Sequence, residues 1–191
     1  ALDANTTGNG NNAFGLDSLG ANTTADGNSA FGHETLLVNT TGSNNTAIGK
    51  ESLKANTTGV KNTAIGSQAL DANTTAEENT AVGYNALTDN TTGHSNVAIG
   101  SDTLANNTTA NHNTAVGREA MITNTTGASN TALGRQALQA NTTASNNTAV
   151  GYQSLYSNTT GTENVAVGST ALDACTTGNG NVGIGVNSLG A

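Results

Sequence analysis

The chain of 191 residues contains no proline and no tryptophan, and its only aromatic residues are two phenylalanines and three tyrosines. Because proline cannot donate to a β-ladder, its absence leaves stacked strands uninterrupted. The chain has five basic and thirteen acidic residues, so the sequence offers no basic stripe that could bind nucleic acid. No apolar run approaches the roughly 18 residues of a membrane span, and no signal peptide is recognisable.

Apolar residues are also scarce. Leu, Ile, Val and Phe make up 31 of the 191 residues, a fraction that usually indicates disorder. The net charge of −8 is modest for this length, however, and the apolar residues recur in strict register. Periodicity therefore outweighs composition and predicts an ordered repeat that packs against its own neighbours. Cys175 has no partner within the chain, so cysteine does not indicate a redox compartment.

The repeat is 17 residues long and its consensus is Asn-Thr-Ala-Ile/Val-Gly, then Ala/Ser-Leu, then Asn-Thr-Thr-Gly/Ala, with variable pairs between these blocks. The turn glycines are Gly15, Gly32, Gly49, Gly66, Gly83, Gly100, Gly117, Gly134, Gly151, Gly168 and Gly185. The asparagines that open each repeat are Asn11, Asn28, Asn45, Asn62, Asn79, Asn96, Asn113, Asn130, Asn147, Asn164 and Asn181. The leucine row is Leu2, Leu19, Leu36, Leu53, Leu70, Leu87, Leu104, Met121, Leu138, Leu155, Leu172 and Leu189.

One repeat, residues 62–78, illustrates the predicted coil. Residues 63–65 (Thr-Ala-Ile) are β-branched at alternate positions, which is typical of a short strand with two distinct faces. Gly66 ends the strand, where a repeated glycine indicates a backbone conformation or a close approach that a Cβ forbids. Residues 69–72 are predicted as a second short strand. Residues 73–76 (Asn-Thr-Thr-Ala) carry turn chemistry, and the many Asn, Thr and Gly residues disfavour a helix.

The fold class is therefore all-β, a repetitive parallel β-solenoid, or β-roll, of eleven 17-residue coils. Residues 1–191 form a single repeat array with no separate domain and no recognisable caps, so we expect flanking segments or neighbouring subunits to cover the ends. Two apolar rows are expected to be buried, the leucine row and a second row of larger residues. That second row is Phe14, Phe31, Ile48, Ile65, Val82, Ile99, Val116, Leu133, Val150, Val167 and Ile184.

Two large apolar side chains per coil form a small core, because each coil has to order 17 residues. A second source of stability is therefore expected, and two are available. One is hydrogen-bonded asparagine ladders, as in other stacked β arrays. The other is association of several copies, so we expect the isolated chain to form a trimer or a longer filament rather than a stable monomer.

Several segments carry a resemblance to known fibre repeats. Residues 96–103 (Asn-Val-Ala-Ile-Gly-Ser-Asp-Thr) and 164–171 resemble the head repeats of YadA-like trimeric autotransporter adhesins. Residues 147–155 with 158–161 (Asn-Thr-Thr-Gly) look like repeats of bacteriophage tail fibres, and residues 180–185 are similar to segments that precede a self-cleaving chaperone in such fibres. The resemblance implies a parallel β-roll, usually trimeric, that provides or displays an adhesive surface. The Asn-Thr-Thr-Gly block lengthens the coil beyond the adhesin pattern.

Asn-Thr-Thr is a formal N-glycosylation sequon. One interpretation is that these residues build the turn and stack as ladders; the other is that they carry N-linked sugar, and the threonines are alternative positions for O-linked sugar. The candidate glycosylation sites are Asn5, Asn22, Asn39, Asn56, Asn73, Asn90, Asn107, Asn124, Asn141 and Asn158.

No catalytic residue, metal site or cofactor is indicated. His33, His94 and His112 occupy unrelated positions of the repeat, which is typical of surface residues. The acidic residues at one shared position alternate with neutral ones and are interpreted as a solvated edge. This edge row includes Asp17, Glu34, Glu51, Gln68, Asp102, Glu119, Gln136, Gln153 and Thr170.

The sequence thus favours a structural fibre or stalk segment, extracellular, on a cell surface or virion-associated, that serves adhesion and is not an enzyme. The alternative is a self-assembling extracellular filament subunit, glycosylated or not. More remote alternatives are an ice-binding module, judged on the paired threonines, and a glycan-binding module. The expected partners are further copies of the chain and a cell-surface receptor or glycan, with no nucleic acid.

Overall fold

The computed structural model describes residues 1–190. Each 17-residue repeat contributes one strand of three residues, and all eleven strands lie side by side in one parallel sheet in sequence order. The strands are β1 Asn12–Phe14, β2 Ser29–Phe31, β3 Thr46–Ile48, β4 Thr63–Ile65, β5 Thr80–Val82, β6 Val97–Ile99, β7 Thr114–Val116, β8 Thr131–Leu133, β9 Thr148–Val150, β10 Val165–Val167 and β11 Val182–Ile184.

The register confirms the predicted β-solenoid. Thr63 pairs with Thr80 and Ala64 with Ala81, so every strand residue lies beside its equivalent one repeat away. With about 4.8 Å between neighbouring strands, the eleven strands extend over about 50 Å. Within residues 1–190, no helix is long and apolar enough to cross a membrane.

The interior of each coil is narrow and holds one large apolar side chain. The members of the leucine row from Leu19 to Leu155, including Met121, are fully buried, together with the central alanine of most strands, such as Ala47 and Ala64. The expectation that a second large row is buried is wrong. Ile65 and Ile99 are 38% and 39% exposed, because the alanine between the two outward residues of each strand takes the inward position. This inward position holds a small residue in every strand, alanine in β1 to β10 and Gly183 in β11.

The predicted second strand is also wrong. Residues 69–72 form a turn, and Leu70 has a φ of 52°. The segment still bonds to the next coil, since the Leu70 N–H donates to the Ala86 carbonyl at 3.0 Å and the Ala72 N–H to the Thr88 carbonyl at 2.9 Å. Backbone pairing between coils therefore continues outside the sheet, in a conformation that is not a strand.

The left-handed conformation recurs at the leucine row in every coil. A left-handed backbone costs a non-glycine residue about 1–2 kcal/mol, and burial of a leucine side chain gains about 1.5–3 kcal/mol. The leucine therefore offsets the strain that it introduces. It turns inward in the turn that follows the strand.

The turn glycines permit the close approach of neighbouring coils. Gly100 has a φ of 131°, and a Cβ built on it would lie 2.8 Å from the Gly117 carbonyl carbon and 2.8 Å from Thr103 Oγ1. Both neighbours are held by the coil itself, since the Thr103 hydroxyl donates to the Gly117 carbonyl at 2.7 Å. Neither atom can move aside without breaking contacts in two coils.

We expect Gly100→Val to lower the free energy of unfolding by roughly 2–5 kcal/mol, from backbone strain and overpacking together. Ser101→Val is the matched control, because Val186 occupies the equivalent position of the last coil and shows that valine is tolerated there. Thermal and urea unfolding of the two variants measures the difference. Equal stability would refute the assignment of this glycine to a close approach.

Candidate functional site

The asparagine that precedes each strand forms a ladder through the coil interior, which we call the strand asparagine ladder. Asn62 is typical: its backbone N–H donates to Asn45 Oδ1 at 2.9 Å, its Nδ2 donates to the same oxygen at 3.2 Å, and Nδ2 also donates to the Ala76 carbonyl at 2.8 Å. Members from Asn28 to Asn164 are buried. Each side chain thus joins its own coil to the preceding one and also fastens the turn opposite the strand.

The asparagines of the Asn-Thr-Thr motifs form a second ladder, the sequon asparagine ladder. Asn56 Nδ2 donates to Asn39 Oδ1 at 2.8 Å and to the Gly59 carbonyl at 3.0 Å. Attachment of N-linked sugar requires a free, accessible Nδ2. The folded chain does not offer one at the nine buried members, which are Asn22, Asn39, Asn56, Asn73, Asn90, Asn107, Asn124, Asn141 and Asn158. Asn5 is exposed.

The two threonines of the motif have different environments. The first is half-buried and its hydroxyl donates to the next coil, as Thr57 Oγ1 does to the Thr74 carbonyl at 3.0 Å. The second, such as Thr58, is exposed. The motif is therefore a turn in which an asparagine and one threonine both bond to neighbouring coils, and only the second threonine faces solvent.

The outward side of the sheet is a continuous uncharged surface, the sheet face, formed by the first and third residues of strands β1 to β11. Six of the eleven first positions are threonine and three are valine, and every third position is aliphatic or phenylalanine. In the middle of the array Ile48, Ile65 and Leu133 are 38–40% exposed. Strand alternation predicted that these residues share a side, and the structure adds that this side faces solvent.

The edge row is half-buried and bonded between coils rather than simply solvated. Gln68 Nε2 donates to Glu51 Oε2 at 3.1 Å, and Lys54 Nζ lies 2.7 Å from Glu34 Oε2. The hydrogen bond with Lys54 lowers the pKa of Glu34 and raises that of Lys54. Both side chains keep contact with solvent, so this pair contributes little to stability.

The histidines are not as scattered in space as they are in sequence. The rings of His94 and His112 lie 5.0 Å apart in an edge-to-face arrangement. No group of three or more metal-ligating side chains is found among residues 1–190, and the same part of the chain has no cleft or cavity.

Cys175 replaces asparagine in the sequon asparagine ladder and interrupts it. Each asparagine of this ladder accepts a hydrogen bond from the next one, but the half-buried Cys175 thiol has no amide to donate. The result is that Asn158 Oδ1 is buried without a hydrogen-bond partner. A buried, unpaired carbonyl oxygen is unfavourable, so the last coils are held less firmly than the others.

Replacing Asn113 by alanine tests the strand asparagine ladder. Asn113 Nδ2 donates to the Gly127 carbonyl, and Asn113 Oδ1 accepts the Asn130 N–H, both at 2.9 Å. Two buried groups lose their partners at about 1–3 kcal/mol each, so we expect a loss of roughly 2–6 kcal/mol. Asn106→Ala, at an exposed position, is the control. Hydrogen exchange should accelerate in the coils on both sides of Asn113, and unchanged exchange there would contradict a ladder role.

Repair of the interruption at Cys175 should increase stability, whereas loss of Asn113 decreases it. Cys175→Asn restores a donor to Asn158 Oδ1 and should stabilise the last coils by about 1–2 kcal/mol. Cys175→Ser, whose hydroxyl is shorter than the asparagine amide, is the control. Because terminal coils of a solenoid open independently, local hydrogen exchange near residues 158–181 is the measurement. Equal protection in the Asn and Ser variants would show that the unpaired oxygen is not a weak point.

Comparison with known proteins adds no family to these observations, since no family model, curated protein or solved structure matches the chain.

Proposed function

We propose that the chain is a structural fibre or stalk segment, outside the cell or on a virion, whose copies associate through the sheet face and which serves adhesion. The observation that carries this proposal is the sheet face itself. It is uncharged and continuous over eleven strands, while all the charges of a chain with net charge −8 lie elsewhere. The exposed aliphatic row along this face, with no charge beside it, is typical of an interaction site.

A second copy of the chain is the occupant that fits this surface best. Its side chains recur once per coil, at about 4.8 Å, and only a partner with the same spacing stays in register along the whole length. The face measures roughly 50 Å by 10 Å, so two copies bury about 1,000 Å² in total, near the lower end of specific interfaces. A third copy around a common axis increases that area.

Sedimentation at micromolar concentration tests the association. The wild-type chain should sediment as a trimer or a longer filament. Ile65→Glu places a charge on the sheet face and should weaken association at least tenfold, whereas Val38→Glu should leave it unchanged. The two residues are equally exposed, at 38% and 39%, but Val38 lies outside the sheet. A compact, cooperatively folded wild-type monomer would refute the proposal.

Ice binding is the second candidate function, and the threonines of the strands favour it. Thr46, Thr63 and Thr80 are half-exposed on the sheet face beside aliphatic side chains, in a regular array of hydroxyl and methyl groups. These are not the paired threonines on which the sequence argument was based. Thermal hysteresis of a monomeric preparation would support this candidate, and its absence, together with oligomers, would support the fibre segment.

A further inference from the structure

One stretch of the array departs from the uniform repeat. Both arginines of the chain, two of its three tyrosines and three of its four glutamines lie within residues 118–156. A rod whose only task is to extend has no need to concentrate planar polar side chains in three successive coils. Tyrosine and glutamine are the kind of groups that bind saccharides, because a ring face packs against sugar C–H groups and an amide pairs with hydroxyls.

Tyr152 has one ring face covered and the other open. It lies in the position directly after the turn glycine and is 44% exposed. The Arg135 guanidinium carbon, one coil earlier, lies 5.7 Å from the centre of the Tyr152 ring, over one of its faces. One coil later the same position is Ser169, whose short side chain cannot cover the opposite face. The ring is thus held from one side and presents a flat surface on the other.

A directed chain of hydrogen bonds ends at the residue that follows Tyr152 in the sequence. Gln153 Nε2 donates to Gln136 Oε1 at 2.9 Å, and Gln136 Nε2 donates to Glu119 Oε2 at 2.7 Å. A carboxylate only accepts hydrogen bonds, so Glu119 sets the orientation of both amides. Gln153 Oε1 is therefore left at the end of the chain of hydrogen bonds, as an acceptor on the residue that directly follows Tyr152.

We propose that Tyr152 and Gln153 form a saccharide-binding patch on the side of the rod, which takes a neutral pyranose. The C–H face of the sugar packs on the open face of the Tyr152 ring, and a sugar hydroxyl donates to Gln153 Oε1. Arg135 is a positioning residue that supports the ring from behind. The inference rests on the adhesive role proposed above and names the chemistry of the partner.

The charges around the patch favour a neutral ligand. Arg118 is paired with Glu119 at 2.6 Å, and Arg135 lies behind the ring rather than on its open side. The coil beyond the open face supplies Ser169 and Thr170, which are uncharged, and the net charge of −8 repels an anionic sugar at long range.

Tyr84 provides a matched control within the same chain. It occupies the equivalent position four coils earlier and is 53% exposed, with serines before and after it. The neighbouring edge-row residue, Asn85, donates to Asp102 Oδ1 at 3.3 Å, so no glutamine chain ends beside this ring. A general affinity of exposed tyrosines for sugars would involve Tyr84 and Tyr152 equally, whereas the proposed patch involves Tyr152 alone.

Binding of the full chain should be measured on a printed array of galactose-, glucose- and N-acetylhexosamine-terminated oligosaccharides. Sialylated oligosaccharides on the same array serve as negatively charged ligands for comparison. We expect saturable binding to at least one neutral class. Tyr152→Ala and Gln153→Ala should each weaken it about tenfold, and Tyr84→Ala should not. No saturable binding, binding to sialylated sugars only, or an equal loss in Tyr84→Ala would each overturn the proposal.

Sedimentation of the same variants separates this inference from the fibre proposal. Tyr152 and Gln153 lie outside the sheet face, so the Tyr152→Ala and Gln153→Ala chains should associate like the wild-type chain. If the wild-type chain is a monomer that binds a neutral oligosaccharide through Tyr152, the fibre segment is wrong and the patch stands. If it assembles but binds no saccharide, the patch is wrong and the fibre segment stands.

Discussion

The structure depends on asparagine side chains that are buried and hydrogen-bonded between coils. A 17-residue coil this narrow has room for one leucine and a few small residues, so apolar burial alone cannot hold it closed. Two asparagines per coil supply the rest, each bonding to its own coil and to an adjacent one. Inside a low-dielectric interior, satisfied amide ladders are stabilising and unsatisfied ones are costly, which makes the arrangement specific as well as stable.

This constraint explains the other regularities of the repeat. Once two asparagines and one leucine occupy the interior, the remaining inward positions are alanine, serine, threonine or glycine, because the walls of the coil are held close together. The bulky member of each strand is then turned outward and creates the sheet face. The same closeness requires glycine where Gly100 meets Gly117, and it places the leucine on a left-handed bend.

Much of this could be predicted from the sequence, because a repeat of fixed length aligns equivalent residues without any knowledge of their contacts. The parallel sheet, the strand at residues 63–65 and the all-β class follow from that alignment. The exposure of Ile65 could not be predicted, because strand alternation shows which residues share a face but not which face is inside. The left-handed bend at Leu70 could not be predicted from the sequence either, since leucine rarely adopts a positive φ. The cluster around Tyr152 needed the inter-coil contacts of Arg135 and Gln136 to become visible.

The direction of the asparagine ladders has an electrical consequence. In the sequon asparagine ladder each Nδ2 from Asn22 to Asn158 donates to the preceding coil, and most Nδ2 groups of the strand asparagine ladder do the same, as Asn62 does to Asn45. These side-chain amides therefore point the same way along the rod. Aligned amide dipoles add up, as peptide dipoles do in an α-helix. Backbone bonds in the sheet run in both directions and largely cancel, but the ladders do not. The rod therefore has a polar axis built from side chains, and copies that lie parallel reinforce this polarity while antiparallel copies cancel it.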